Sequence, residues 1–425
     1  MTHPSLRLCC LASWLVVAGC GGPTGETDAS ASRDGGGVDA PASDGGEGDA
    51  GRSDAALVDA ALVDAALVDA FDCRGPGAQD LDGDGFSPDD GDCDDCDPFV
   101  NPGAIDVFDG TSWGDQDCSG TPGDEVGGCD GALALADVDP RSAARALDLC
   151  RATTSLAHTW GVLDARWVRA NGSPLTPTLQ VGLLSSFGTG NHVQVGGRML
   201  GLSTGHARDA ADPGACGGPS CASSAPTITA PAGFPWSSSA CSFSNELTDD
   251  VALEIQLRVP TNAVGFAFDS EMFSFEYPAW VCASTGDGAA VLMSPPPSGS
   301  DGQLVFDARH EPLNTQSAFF GACDPTTSAE FAMNCGANCP LLPSPYCPLG
   351  TGPLAGTGFG AWGSAGGTYW LETTTPVVGG STISLRFLVY DDGDGSFDST
   401  VIFDGFRWIT SGTVTSGTTP IAAPR

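Results

Sequence analysis

Hydrophobic and polar positions alternate most regularly where Val251, Leu253, Ile255, Leu257 and Val259 interleave with Ala252, Glu254, Gln256 and Arg258. A period of two places one set on each face of a pleated strand, so this segment reads as a strand with one buried face. Shorter runs of the same kind lie at residues 159–168, 264–268, 303–306, 368–371, 382–390 and 400–408. Gly, Pro and Ser separate them, the punctuation of an antiparallel fold. One helix is expected after Asp139, which caps it, with Pro140 at its first position and Ala143, Ala144, Leu147 and Leu149 inside. The pattern predicts a mainly β chain: a jelly-roll-like β-sandwich over residues 130–425, with the Cys-rich stretches 212–241 and 323–347 as disulfide-held surface loops. Ahead of it the pattern predicts a small irregular module at 73–129 and a disordered tether.

The tether, residues 20–72, is Gly, Ser, Ala and Asp with almost no aromatics, too little apolar surface to offset the entropy of ordering. Within it Ala-Ala-Leu-Val-Asp recurs from Ala55, Ala60 and Ala65, a linker repeat without chemistry. Before it, Arg7, the apolar run Leu8 to Val17 and then Val17-Ala18-Gly19-Cys20 have the layout of a lipoprotein signal peptide, residues 1–19. Cys20 is the expected lipidation site. Gly21, rather than Asp, favours the outer membrane by resemblance to bacterial lipoprotein sorting. Of 17 cysteines, Cys9 and Cys10 belong to this leader and Cys20 to the lipid site. The remaining even number in an exported chain reads as a disulfide framework.

Charge then narrows the partners. With 53 acidic against 16 basic residues the net charge is -37, which repels phosphate backbones and anionic lipid, so nucleic acid is excluded as a partner. The carboxylates are densest from Asp80 to Asp97. Asp80, Asp82 and Asp84 stand at positions 1, 3 and 5 of a calcium loop, Gly85 makes the turn at 6 and the Phe86 carbonyl points inward at 7. Position 12 is Gly91 where an EF-hand needs Glu, and Asp90 and Asp92 straddle it. Asp94, Asp95 and Asp97 complete the candidate ligand set. These are hard oxygen donors, so calcium is the expected cofactor, and a solvated acidic linker is the alternative. A second candidate set, Asp391, Asp392, Asp394 and Asp398, lies between two strongly alternating segments, where a hairpin turn is the competing reading.

Asp80–Phe86 and Cys93–Ala104, followed by Asp109-Gly110 and Asp117-Cys118-Ser119-Gly120, resemble the metal-binding repeat of MopE-type bacterial surface proteins. The chain departs from that pattern at Cys96, at Phe108 where the family usually has Cys, and at Thr111 to Gly114, which look inserted. The family's disulfide pairing therefore does not carry over. Phe266-Ala267-Phe268 through Phe275-Glu276-Tyr277-Pro278, and Leu385 to Asp394 through Asp398 to Trp408, resemble a choice-of-anchor L domain over about residues 130–415. That resemblance implies a location at the bacterial surface rather than an activity.

The reading is thus a calcium-binding, lipid-anchored surface protein with a non-catalytic sandwich for adhesion or recognition of a glycan or protein. One rival is a glycan-cleaving enzyme using Asp269, Glu271 or Glu276. The other is a metal-acquisition protein using the acidic module. Gly110-Thr111-Ser112-Trp113-Gly114 fits G-x-S-x-G but lacks the strand and helix that a nucleophile elbow needs. His158, His192, His206 and His310 show no metal-ligand spacing.

Overall fold

The computed structural model describes residues 73–125, 128–221, 226–234, 244–283, 285–327 and 346–422. The leader, Cys20, the 20–72 segment, Cys335 and Cys339 lie outside them. In chain order the first strands are β1 (Gly161–Val168), β2 (Val181–Leu184), β3 (Ser186–Phe187), β4 (Asn191–His192), β5 (Met199–Ser203), β6 (Ile228–Thr229) and β7 (Glu246–Arg258). There follow β8 (Gly265–Ser274), β9 (Gly288–Ser294), β10 (Phe320–Cys323), β11 (Gly366–Thr368), β12 (Leu371–Pro376), β13 (Thr382–Asp392), β14 (Ser399–Ile409) and β15 (Gly417–Pro420).

The strands form two antiparallel sheets that make a sandwich, as the alternation predicted. One runs β1-β7-β13-β9 with β6 beside β7. The other runs β10-β11-β8-β14-β5-β2, with β12 between β8 and β15. The inward face of β7, from Val251 to Leu257, packs in one core with Phe266 and Phe268 of β8 and Phe403 of β14. Phe387 of β13 bridges the sheets, with its ring 5.5 Å from Phe268 and 5.1 Å from Phe403, both edge-on. Each such buried ring contributes about 1.5–3 kcal/mol by leaving water. On the outward face of the first sheet Arg166, Glu254 and Arg386 stand in register across β1, β7 and β13 and pair.

Several expectations need correction. The helix α1 (Pro140–Arg145) is capped by Asp139, which accepts the Arg141 N–H, but it ends before Leu147 and Leu149. Both leucines are buried in the core from an irregular turn in which Asp148 has φ 65°. Residues 303–306 make only isolated bridges, and 368–371 is split between β11 and β12. Sequence reading also missed β2 and β5, buried on both faces, and β9, buried on both faces from Gly288 to Val291, so all three lack polar alternation. The 393–398 segment is not a hairpin, because β13 belongs to one sheet and β14 to the other.

Disulfides join Cys73–Cys96, Cys93–Cys118, Cys129–Cys150, Cys216–Cys221 and Cys323–Cys347. The acidic segment is docked on the turn between β7 and β8. The Thr261 N–H donates to the Gly103 carbonyl at 2.9 Å, and Asn262 exchanges two hydrogen bonds with the Ile105 backbone.

Candidate metal centre and the cleft beside it

The acidic loop wraps its own carboxylates inward because its N–H groups have no strand or helix to bond. Asp80 accepts the Gly83 and Gly85 N–H groups, Asp82 accepts Asp84, and Asp84 accepts Phe86 and the Asn101 side-chain amide. Gly85 has φ 97°, the left-handed conformation that L side chains rarely adopt. From the second half of the loop, Asp92 accepts the Asp94 N–H and Asp95 the Leu81 N–H.

Oxygens of Asp80, Asp82 and Asp95 lie within 4.8 Å of one another, as do those of Asp82, Asp84 and Asp92. Asp82 belongs to both sets, so five carboxylates share one small volume. Two of their oxygens, Asp82 Oδ2 and Asp92 Oδ2, are buried without a hydrogen-bond partner. Burial, and then repulsion from Asp82 and Asp92, push the Asp84 carboxyl up to about 6. Burial and neighbouring carboxylates raise Asp82 and Asp92 as well. Such a set can hold a divalent cation through oxygen alone, because every cysteine in the loop is tied in a disulfide.

The other candidate ligands in this loop do different work. Asp90 accepts the Ser87 N–H and hydroxyl and closes a short 3-10 turn. Asp94 faces the exposed Arg74, Asp97 accepts the Phe99 N–H, and the Phe86 ring is buried edge-on to His158. The Asp90, Asp94 and Asp97 carboxylates are not grouped with the five.

A second acidic group went unnoticed as a unit in the sequence. Asp106, Asp117, Asp124 and Glu125 bring oxygens within 4.8 Å of one another, with Arg151 2.8 Å from Asp117 and 3.4 Å from Glu125. Neighbouring Asp109 instead folds a tight turn and is held near 2 by the Thr111 hydroxyl and by the N–H groups of Ser112 and Thr111. Asp106 and Glu125 line a cleft of about 560 Å³ walled on the sandwich side by Trp160, Phe406 and Trp408.

The carboxylates of 391–398 have different environments. Asp391 is fully buried, Asp392 accepts from Ser244, the exposed Asp394 accepts the Ser396 N–H, and Asp398 accepts the Cys221 N–H. Asp398 lies near the sulfurs of Cys216 and Cys221, but the disulfide between them leaves no thiolate to ligate a metal. Asp391 instead meets Asp287, whose N–H donates to Glu276 at 2.7 Å and whose carboxylate accepts the Ser399 hydroxyl at 2.6 Å. Burial drives Asp287 and Asp391 well above the usual carboxylate range and Glu276 up to about 8.

The three candidate catalytic carboxylates have different partners. Asp269 pairs with Arg407, Glu276 faces Asp287, and Glu271 alone lines a cleft with Asn191, Tyr369 and Trp370. Ser112 sits in the exposed turn between the bridged residues Phe108 and Trp113.

The fold and the site together define a mainly β, antiparallel sandwich carrying an oxygen-donor carboxylate centre on a disulfide-clamped loop. No model of a known family matches the chain, and it finds no match among curated proteins or solved structures.

Proposed function

We propose that this is a calcium-binding lipoprotein of the outer membrane, held by lipid on Cys20 and displayed at the cell surface. In this reading a calcium-braced loop supports a sandwich that recognises a glycan or protein without turnover. The resemblances to the MopE-type repeat and the choice-of-anchor L domain point the same way. One observation carries the metal assignment: five carboxylates converge from both halves of one loop and leave two buried oxygens with no donor. Calcium accepts six to eight such oxygens, whereas copper and zinc favour nitrogen or sulfur. That donor set favours calcium binding over copper acquisition.

Calorimetric titration of the full chain should show calcium binding with a dissociation constant of about 0.1–1 mM, the range of extracellular calcium modules. Asp82→Asn with Asp84→Asn should abolish that heat. Tight copper binding without a calcium response would instead establish metal acquisition. The anchor is tested separately. Cys20→Ala should move the protein from the membrane fraction to the soluble one, and a variant that still partitions with lipid refutes the lipidation site.

A further inference from the structure

We propose that the cleft between the acidic segment and the sandwich binds a neutral glycan; this deepens the recognition reading above and rests on it. The cleft has the volume of an organic-ligand site. Its outer rim is the turn that carries the inserted-looking residues Thr111 to Gly114. Phe108 and Trp113 bridge across that turn, their rings 5.4 Å apart, and they stay 50% and 39% exposed. Two neighbouring aromatic faces held open to water on a short turn are costly unless something covers them. Trp113 packs closely on Gly123, where a Cβ would come within 2.7 Å of the indole.

The unpartnered polar atoms on residues lining this cleft point to the occupant. Trp160 is 6% exposed, yet its indole N–H has no acceptor. Glu125 Oε2 and Asp148 Oδ2 are buried with no donor. A sugar ring complements all of these at once: its C–H face stacks on an aromatic ring, its hydroxyls donate to carboxylates, and its oxygens accept the indole N–H. Charge excludes acidic sugars. Asp106, Glu125 and Asp148 line the cleft, while the Arg407 guanidinium is already engaged by Asp269 and Glu372. A quaternary ammonium fits less well, because it offers nothing to the indole N–H. The face of Trp160 already carries a cation, with the Arg151 guanidinium 5.2 Å from the ring centre.

The test is an array of neutral and acidic oligosaccharides probed with the full chain carrying Cys20→Ala, followed by calorimetry on the hits and on tetramethylammonium. Neutral oligosaccharides should bind and uronate-containing ones should not. Phe108→Ala with Trp113→Ala should weaken binding by about tenfold or more, the usual cost of losing central aromatic contacts. Trp362→Ala, which removes a 53% exposed aromatic outside the cleft, should bind like the parent. Asp148→Asn keeps the side-chain shape and should weaken binding without lowering the melting temperature. Absence of neutral hits, equal binding by the double variant, or binding of tetramethylammonium alone would overturn the proposal. Loss of glycan binding with calcium heat intact would remove this inference only. Glycan binding without calcium heat would retain the cleft and remove the calcium assignment.

Discussion

Asp250→Asn should destabilise the fold by about 3–5 kcal/mol, the cost of leaving a buried charge without its partner. Asp250 on β7 is fully buried, and it receives both the Nε and the Nη2 of Arg169 together with the Ala170 N–H. Arg169 lies just beyond β1, has a side chain only 6% exposed, and donates from its third nitrogen, Nη1, to the Pro226 carbonyl. Neutralising Asp250 therefore strands the guanidinium charge away from water. Chemical denaturation of the full chain measures the loss. Arg169→Met with Asp250→Leu should recover part of it, because removing both charges also removes the desolvation cost. A single variant within about 0.5 kcal/mol of the parent, the range of ordinary surface changes, would mean that the pair is not buried.

In chelator, stability should fall as the pH rises from about 5 to about 8, opposite to the usual behaviour of a protein whose carboxylates are salt-bridged. Glu276 is raised to about 8 by burial and by the nearby Asp394 and Asp392, and Asp287 and Asp391 are raised well above their ordinary value. Below the unfolded-state value near 4.5 all forms are protonated and the stabilisation is fully present. Between that value and about 8 the folded chain holds protons that the unfolded chain has released, so each step up in pH favours unfolding. A shift from 4.5 to about 8 corresponds to several kcal/mol for Glu276 alone, as an order of magnitude. Burial also raises Asp84, Asp148, Asp398 and Asp404, which add to the same slope. Glu276→Gln, whose amide oxygen can still accept the Asp287 N–H, should therefore flatten the profile in part and raise the melting temperature at pH 8. An unchanged profile would show that Glu276 does not hold its proton in the folded state.

These two effects come from groups that the sequence displays but does not connect. Asp250 is one more acidic residue in a strand, and only the pairing of β1 with β7 brings Arg169 against it. Asp287 has no local signal either. It meets Asp391 because it directly precedes β9 while Asp391 lies near the end of β13, and those strands are neighbours. The acidic loop is the opposite case. Asp80, Asp82 and Asp84 converge through hydrogen bonds that span two to five residues, so their spacing alone announced them.

The sequence by itself determined what depends on neighbours along the chain: the long strands, the Asp139 cap, the first half of the carboxylate centre and the mainly β class. A two-residue period and a side chain reaching the next N–H are local geometry, independent of the rest of the fold. Tertiary structure decided what depends on strand order. It closed the centre with Asp92 and Asp95 while turning Asp90, Asp94 and Asp97 to other N–H, hydroxyl or guanidinium donors. It split β13 from β14 between two sheets, so the 391–398 carboxylates bond to different segments, and it brought the Phe108–Trp113 turn to one cleft with Trp160 and Trp408. Contacts between residues far apart in sequence are fixed by which faces must leave water together, and no window of sequence contains that information.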